Sequence, residues 1–306
     1  MRLLFFVLLV LAEPVGAQSD SLLILTRIGQ VQVDGQAFHK RSSNFLGAHQ
    51  TLGLGEASYL SLIHPNGHHL EIWKRGSYST DSLMALLKDP PNAFSGHRQI
   101  GERNRETLQK AQGPMTAGHP PALKVFASRE INYILEPQGF TLQWCHPGNR
   151  SKKYRARLEN IYLEKLDSLE VSDTCLFLSN RQVDVLKAAL DSSDSFFIIS
   201  IENRGEGYGE VVRKAFSMDT LKNRKAKLDL QKLEKQFAGS SSLYLDLAKV
   251  LYLEKQAYHP EALRMLNQML EKYPDDSVFQ HLFFIYLMRY QIMEYWELKK
   301  MYPQDW

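Results

Sequence analysis

The 306 residues carry 37 Lys and Arg against 34 Asp and Glu, a formal net charge of +3, and 44% of them are apolar. So small and evenly spread a charge excludes an electrostatic grip on nucleic acid, and no apolar run beyond residue 17 reaches the ~20 residues of a membrane-spanning helix. The length suits two or three domains rather than one.

In chain order, Arg2 gives a positive start, Leu3 to Ala12 is an unbroken apolar run, and Pro14 ends it. Val15 and Ala17 then supply the small residues that a signal peptidase accepts. The expectation is a signal peptide over 1–17, cleaved on export, and hence a periplasmic or secreted protein with no transmembrane segment left after cleavage. Lipid attachment is not expected, since no cysteine follows the run.

Residues 21–88 read as strands with turns every 8–12 residues, a small antiparallel barrel or sandwich. Ile24 to Val33 is rich in aliphatic and β-branched residues and stops at Asp34-Gly35, a favoured tight-turn pair. Tyr59 to Ile63 stops at Pro65-Asn66-Gly67, and Leu70 to Trp73 resumes the strand pattern. His64, His68 and His69 cluster on that turn. They fall short of the four ligands of a structural metal site, so an exposed polar turn is the simpler reading.

The pattern Ile28-Gly29-x-Val31-x-Val33-x-Gly35, then Leu60-x-Leu62-x-x-Pro65-Asn66-Gly67-x-x-Leu70-Glu71-Ile72, then Gly76-x-Tyr78 resembles the small β domain of FecR-like periplasmic proteins. It is most similar to exported Bacteroidetes multidomain proteins that carry such a domain at the N-terminus. The resemblance covers about 60 residues and implies a fold. It brings no catalytic residues, and the sigma-factor signalling of FecR proteins, which works through a transmembrane helix, does not carry over.

Residues 89–122, with Pro90, Pro91, Pro114, Pro120 and Pro121 around a polar stretch, read as a mobile linker. The next part, 123–217, offers strands at Ile131–Leu135, Phe140–Cys145, Tyr154–Glu159, Cys175–Leu178, Phe196–Glu202 and Glu210–Phe216, with a helical turn over Asp184–Leu190. Short strands around a buried Trp144 suggest an immunoglobulin-like β-sandwich. The Trp144-x-x-Pro147 and Asp173-Thr174 segments resemble the middle domain of the same exported proteins.

Cys145 and Cys175 are candidates for a disulfide, whose loop of about 30 residues is worth roughly 3–4 kcal/mol by chain entropy. Against it, alternation puts Cys145 on the opposite face from Phe140, Leu142 and Trp144, so two separate thiols remain open. Gly205-x-Gly207-x-Gly209 has the wrong spacing for a dinucleotide fingerprint and reads as a hairpin loop. Asn149-Arg150-Ser151 matches a glycosylation acceptor by pattern alone.

From 218 to 306 the period changes to near 3.6, with Leu230, Leu233 and Phe237, then Leu243, Leu247, Val250 and Leu251, then Leu263, Leu266 and Leu270, then Phe279, Leu282, Phe283 and Tyr286. Gly239-Ser240-Ser241-Ser242 breaks the first helix and offers a serine cap, and Pro274 with Asp275-Asp276 divides the last two. Ala248, Glu261-Ala262-Leu263 and Pro274 resemble one tetratricopeptide repeat, with a second partial pair. Fewer than three repeats leave apolar faces that must dock elsewhere. Tyr286, Tyr290, Tyr295 and Trp296 at this spacing are more often core, and they are also the candidate partner contact.

The overall expectation is a multidomain β plus α chain: small β domain, immunoglobulin-like sandwich, helical-hairpin repeats. Its expected work is non-enzymatic, an envelope adaptor or scaffold gripping a protein partner through its C-terminal helices, with no cofactor and no metal. The alternative is a ligand-sensing or uptake accessory protein acting through the N-terminal β domain. A hydrolase stands third, and would need a Ser-His or acidic pair brought together in a deep pocket.

Overall fold

The computed structural model describes residues 21–38, 43–88, 97–101, 123–127, 131–146, 153–192, 196–204, 210–274, 276, 279–280 and 283. The expected signal peptide at 1–17, the glycine loop at 205–209, Asn149 and the aromatic set Tyr286, Tyr290, Tyr295 and Trp296 lie outside them. The protein is mixed β and α. Among the described residues no helix is long and apolar enough to cross a membrane.

The N-terminal part holds strands β1 (Leu22–Ile28), β2 (Val31–Val33), β3 (Gln36–Ala37), β4 (Phe45–Leu46), β5 (Thr51–Leu54), β6 (Tyr59–Ile63), β7 (His69–Ile72) and β8 (Gly76–Ser79), then helix α1 (Thr80–Lys88) and strand β9 (His97–Ile100). They form a five-stranded sheet, β4-β1-β6-β7-β9, and a four-stranded sheet, β3-β2-β5-β8. Asp34 and Gly35 both have positive φ, the geometry of the hairpin turn their sequence favours. Gly29, at φ 76°, lets β1 turn into β2 where a Cβ would sit 2.6 Å from the Ser58 hydroxyl.

Between the sheets, Leu22, Ile24, Leu52, Leu60, Leu62 and Leu70 pack with Leu83, Met84 and Leu87 of α1. The expected linker is corrected over 97–101: β9 pairs in parallel with β7, and the Trp73 and Lys74 N–H groups donate to the Ile100 carbonyl. Pairing there satisfies a row of β7 backbone groups that an open edge would leave to water.

The middle part holds β10 (Lys124–Val125), β11 (Asn132–Tyr133), β12 (Thr141–Cys145), β13 (Tyr154–Glu159), β14 (Lys165–Val171), β15 (Cys175–Phe177), helix α2 (Asn180–Ser192), β16 (Phe197–Asn203) and β17 (Val211–Ser217). Sheets β10-β12-β15 and β11-β17-β16-β13-β14 close on one core, with β11 parallel to β17. In it Trp144 meets the Tyr154 ring edge-on at 5.4 Å, and Phe140 meets Phe216 at 5.6 Å. The six expected strands are present within two residues at each end. The helical turn is a full helix of 13 residues, and β10 and β14 are additions.

Helices α3 (Thr220–Gln236), α4 (Ser242–Lys255) and α5 (His259–Lys272) follow. Asp219 caps α3 by accepting from Lys222 N–H, and Ser241 caps α4 by accepting from Tyr244 N–H, the serine cap the sequence offered. Their apolar faces do not form a separate body. Leu23, Tyr59, Ile63 and Trp73 of the first sheet, Phe126 and Leu135 of the middle part, and Phe237, Tyr244, Leu247 and Tyr258 of the helices make one core. Phe45 stacks on Phe237 at 5.1 Å, and Ser241 N–H donates to the Pro65 carbonyl at 2.7 Å.

No disulfide joins Cys145 and Cys175; both are half-buried thiols. The register explains it. Gln143 sits opposite Cys175, which sets Cys145 on the diagonal. Diagonal neighbours lie about 7–8 Å apart, beyond the usual Cα span of a disulfide of about 4.4–6.8 Å. Burial, with a smaller contribution from Asp173, pushes the Cys175 thiol up to about 11. Purified without reductant and then denatured, the chain should therefore show two titratable thiols, and native Cys175 should alkylate slowly at pH 8. No titratable thiol after denaturation would contradict this register.

Candidate functional site

A groove of about 860 Å³ opens between α2, α3 and the strap that follows β11. The strap, residues 134–138, is held from two sides. Asn223 of α3 donates to the Ile134 carbonyl at 2.7 Å and accepts from the Tyr258 hydroxyl at 2.9 Å. From α5, a carboxylate oxygen of Glu261 accepts from Leu135 N–H at 2.8 Å. Lys222 lies over the Tyr133 ring, 3.1 Å from its centroid, and burial lowers its pKa despite the opposing effect of Asp219.

These contacts consume the inner side of α3. Its buried or half-buried apolar residues are Ala226, Leu230, Leu233 and, at the cap, Phe237. Leu221 and Leu228 fall almost opposite, at 100° per residue, and are 80% and 50% exposed. Leu228, Arg224, Lys227 and Gln231 form one wall of the groove, and Lys187 and Leu190 of α2 the other, with Leu135 and Met218 also lining it. Lys227 pairs with Glu136 at 3.5 Å. Among the described residues Glu136 is the lone acid lining the groove, and Lys187 and Arg224 form no ion pair. The arrangement is an apolar floor with a rim whose described cations outnumber its described acids, which suits binding.

Two other places concentrate polar groups. On the outer face of the first sheet, Ser61 Oγ and His69 Nε2 lie 2.7 Å apart, and the Tyr59 hydroxyl donates to Glu71 at 2.7 Å. This is the Ser-His pair a hydrolase would need, but Ser61, His69 and Glu71 are all 0% exposed. Each sits in a strand and faces α4 or its neighbours, so the hydrogen bonds satisfy polar groups in a core. The histidine cluster separates for the same reason. His69 enters that core, while His68 turns outward to the Leu87 carbonyl at 2.7 Å. Among the described residues no three metal-ligating side chains converge.

The other place is Glu261 itself, 6% exposed, beside a water-sized cavity of about 10 Å³ lined also by Arg264, Gln138 and Thr141. Its second oxygen meets no hydrogen-bond partner among the described atoms. Burial pushes its pKa up to about 7 from the usual 4.5, against the pull of the Leu135 N–H, other backbone N–H groups and Arg264.

The groove was not foreseen. Its only sequence signal is Leu221 and Leu228, seven residues apart and opposite the core stripe that carries the helical period. Lys187 and Leu190 carry no local signal, because only the fold brings α2 beside α3. No protein-family model matches the chain, and no curated protein or solved structure matches it either.

Because Glu261 holds its proton more tightly folded than unfolded, its stabilising contribution is complete below about pH 4.5 and is lost as pH rises through about 7. The shift corresponds to about 3 kcal/mol at alkaline pH. Urea unfolding from pH 5 to 8 should show Glu261→Gln gaining on the parent protein as pH rises. A difference that stays constant across this range would contradict the assignment.

Proposed function

We propose that the chain is an exported cell-envelope adaptor, non-enzymatic, that holds a protein partner through the helical part beginning at α3. The observation that carries this is the outward leucine edge of α3, Leu221 and Leu228, along a groove that sets three cations against one acid among the described residues. Exposed apolar side chains on a helix already committed on its other side mark an interaction surface. The expected contact at Tyr286, Tyr290, Tyr295 and Trp296 belongs to the same reading, at the far end of the same helical part.

The finer fold assignments belong to this reading too. The strand order β17-β16-β13-β14, with β11 parallel to β17, and β10-β12-β15 opposite it supports an immunoglobulin-like sandwich whose last crossover carries α2. The α4–α5 hairpin, with Ala248 and Ala262 buried, supports one tetratricopeptide-like pair. Two sheets around an aliphatic core, turning at Gly29, Asp34-Gly35 and Pro65-Asn66-Gly67, support a FecR-like β domain. The signal-peptide pattern at 1–17 supports a periplasmic or secreted site of action.

Photo-crosslinking side chains placed in cells at Leu221 or Gln231 should capture one discrete envelope protein. The same group at Tyr162, which is 74% exposed on the β13–β14 turn, should not. Equal capture from all three positions, or capture from Tyr162 alone, would overturn the adaptor reading. Fractionation that finds the native protein in the cytosol with its leader intact would overturn the envelope part.

A further inference from the structure

We infer that the groove between α2 and α3 takes an acidic amphipathic helical segment of the partner, its apolar side chains on Leu190, Met218 and Leu228 and its carboxylates facing Lys187 and Arg224. The inference rests on the adaptor reading and adds the partner's chemistry.

Three observations carry it. First, charge: among the described residues the groove has cations on both walls, Lys187 on α2 and Arg224 and Lys227 on α3, against Glu136, which already pairs with Lys227. A basic or neutral segment would leave Lys187 and Arg224 facing like charge or desolvated without compensation, which costs binding free energy. Second, apolar surface: Leu190 and Met218 are half-buried and Leu228 is half-exposed, so the floor has apolar area still to bury. Third, extent: Leu221, seven residues before Leu228, continues the same edge beyond the groove, and Leu221 to Gln231 spans about 15 Å along the axis. A small anion would satisfy the cations and leave both leucines wet. An amphipathic helix, with apolar residues three and four apart and acids flanking them, covers both together.

The platform is rigid where the ligand would bear on it. Asp219 caps α3, Asn223 ties it to the strap, and the strap is tied to α5 through Glu261. Binding therefore does not have to order α3 first, so less of the contact energy is lost to ordering.

The test uses the full chain after leader removal and two fluorescent helix-forming peptides of about 14 residues, ~21 Å when helical. One has leucines spaced three and four apart with glutamates beside them; its twin has lysines in place of the glutamates. Anisotropy should show saturable binding of the acidic peptide that weakens as salt rises, and at least about tenfold weaker binding of the twin. Lys187→Glu and Arg224→Glu, on different elements, should each weaken the acidic peptide about tenfold, and Leu228→Ser should do so as well. Circular dichroism of each variant separates lost binding from lost folding. Binding of the twin equal to that of the acidic peptide, or no binding of either, would overturn the inference while leaving the crosslinking result to judge the adaptor reading. Acidic-peptide binding untouched by all three variants would move the contact off this groove and overturn it as well.

Discussion

The five-stranded sheet of the N-terminal part is buried on both faces, and that constraint organises the rest of the chain. Along β6, Tyr59, Leu60, Ser61, Leu62 and Ile63 are all buried, and β1 buries Leu22 through Thr26 in the same way. A sheet with one wet face shows alternation, and these strands do not. Leu60 and Leu62 fill the space towards the four-stranded sheet, while Tyr59 and Ile63 need a second layer. The helices provide it, with α4 lying over β1 and Tyr244 reaching Ser21 at 3.4 Å. The few polar groups trapped under that layer, Ser61, His69 and Glu71, are hydrogen-bonded to neighbours on the same face, which keeps their burial tolerable.

From this follows the position of the groove. Once α4 is fixed on the sheet, α5 packs against α4 and presents Glu261 to the strap, and the strap holds α3 through Asn223. The middle part enters the same core through Phe126 and Leu135. The wall formed by α2 therefore stands at a defined place beside α3, although the two helices belong to different parts of the chain. A chain of independent modules on a mobile linker would leave that distance unspecified. Here hydrogen bonds and shared apolar packing set it.

Much of the local structure was legible because it depends on local chemistry. Asp34-Gly35 adopts the positive φ values its composition favours, Ser241 caps α4, and β13 runs over the same residues that the alternation of Tyr154–Glu159 marked. What escaped depends on partners distant in sequence. The strand β9 lies in a segment without strand composition and exists as the neighbour of β7. In β14 the charges Lys165, Asp167 and Glu170 interrupt the apolar pattern, since the strand pairs only with β13 at the sheet edge. The helix α1 follows β8 with no loop between them, so its short apolar run Leu83–Leu87 merged with the strands before it. The apolar faces of these helices need cover, and the first sheet supplies it through contacts that no local pattern announces. The groove itself needed two leucines on the unexpected side of α3 and a cation from α2, and no spacing rule joins those.

Hydrogen exchange with peptide-level readout, on the parent chain and on Phe237→Ala, tests the shared core most directly. Phe237 stands between Phe45 of the first sheet and Tyr244 of α4, and removing its ring from a core should cost about 3–5 kcal/mol. The account predicts that protection falls together in 22–28, 59–63 and 242–255. Loss of protection confined to 242–255, with both strands unchanged, would contradict it and return the helices to the status of a separate module.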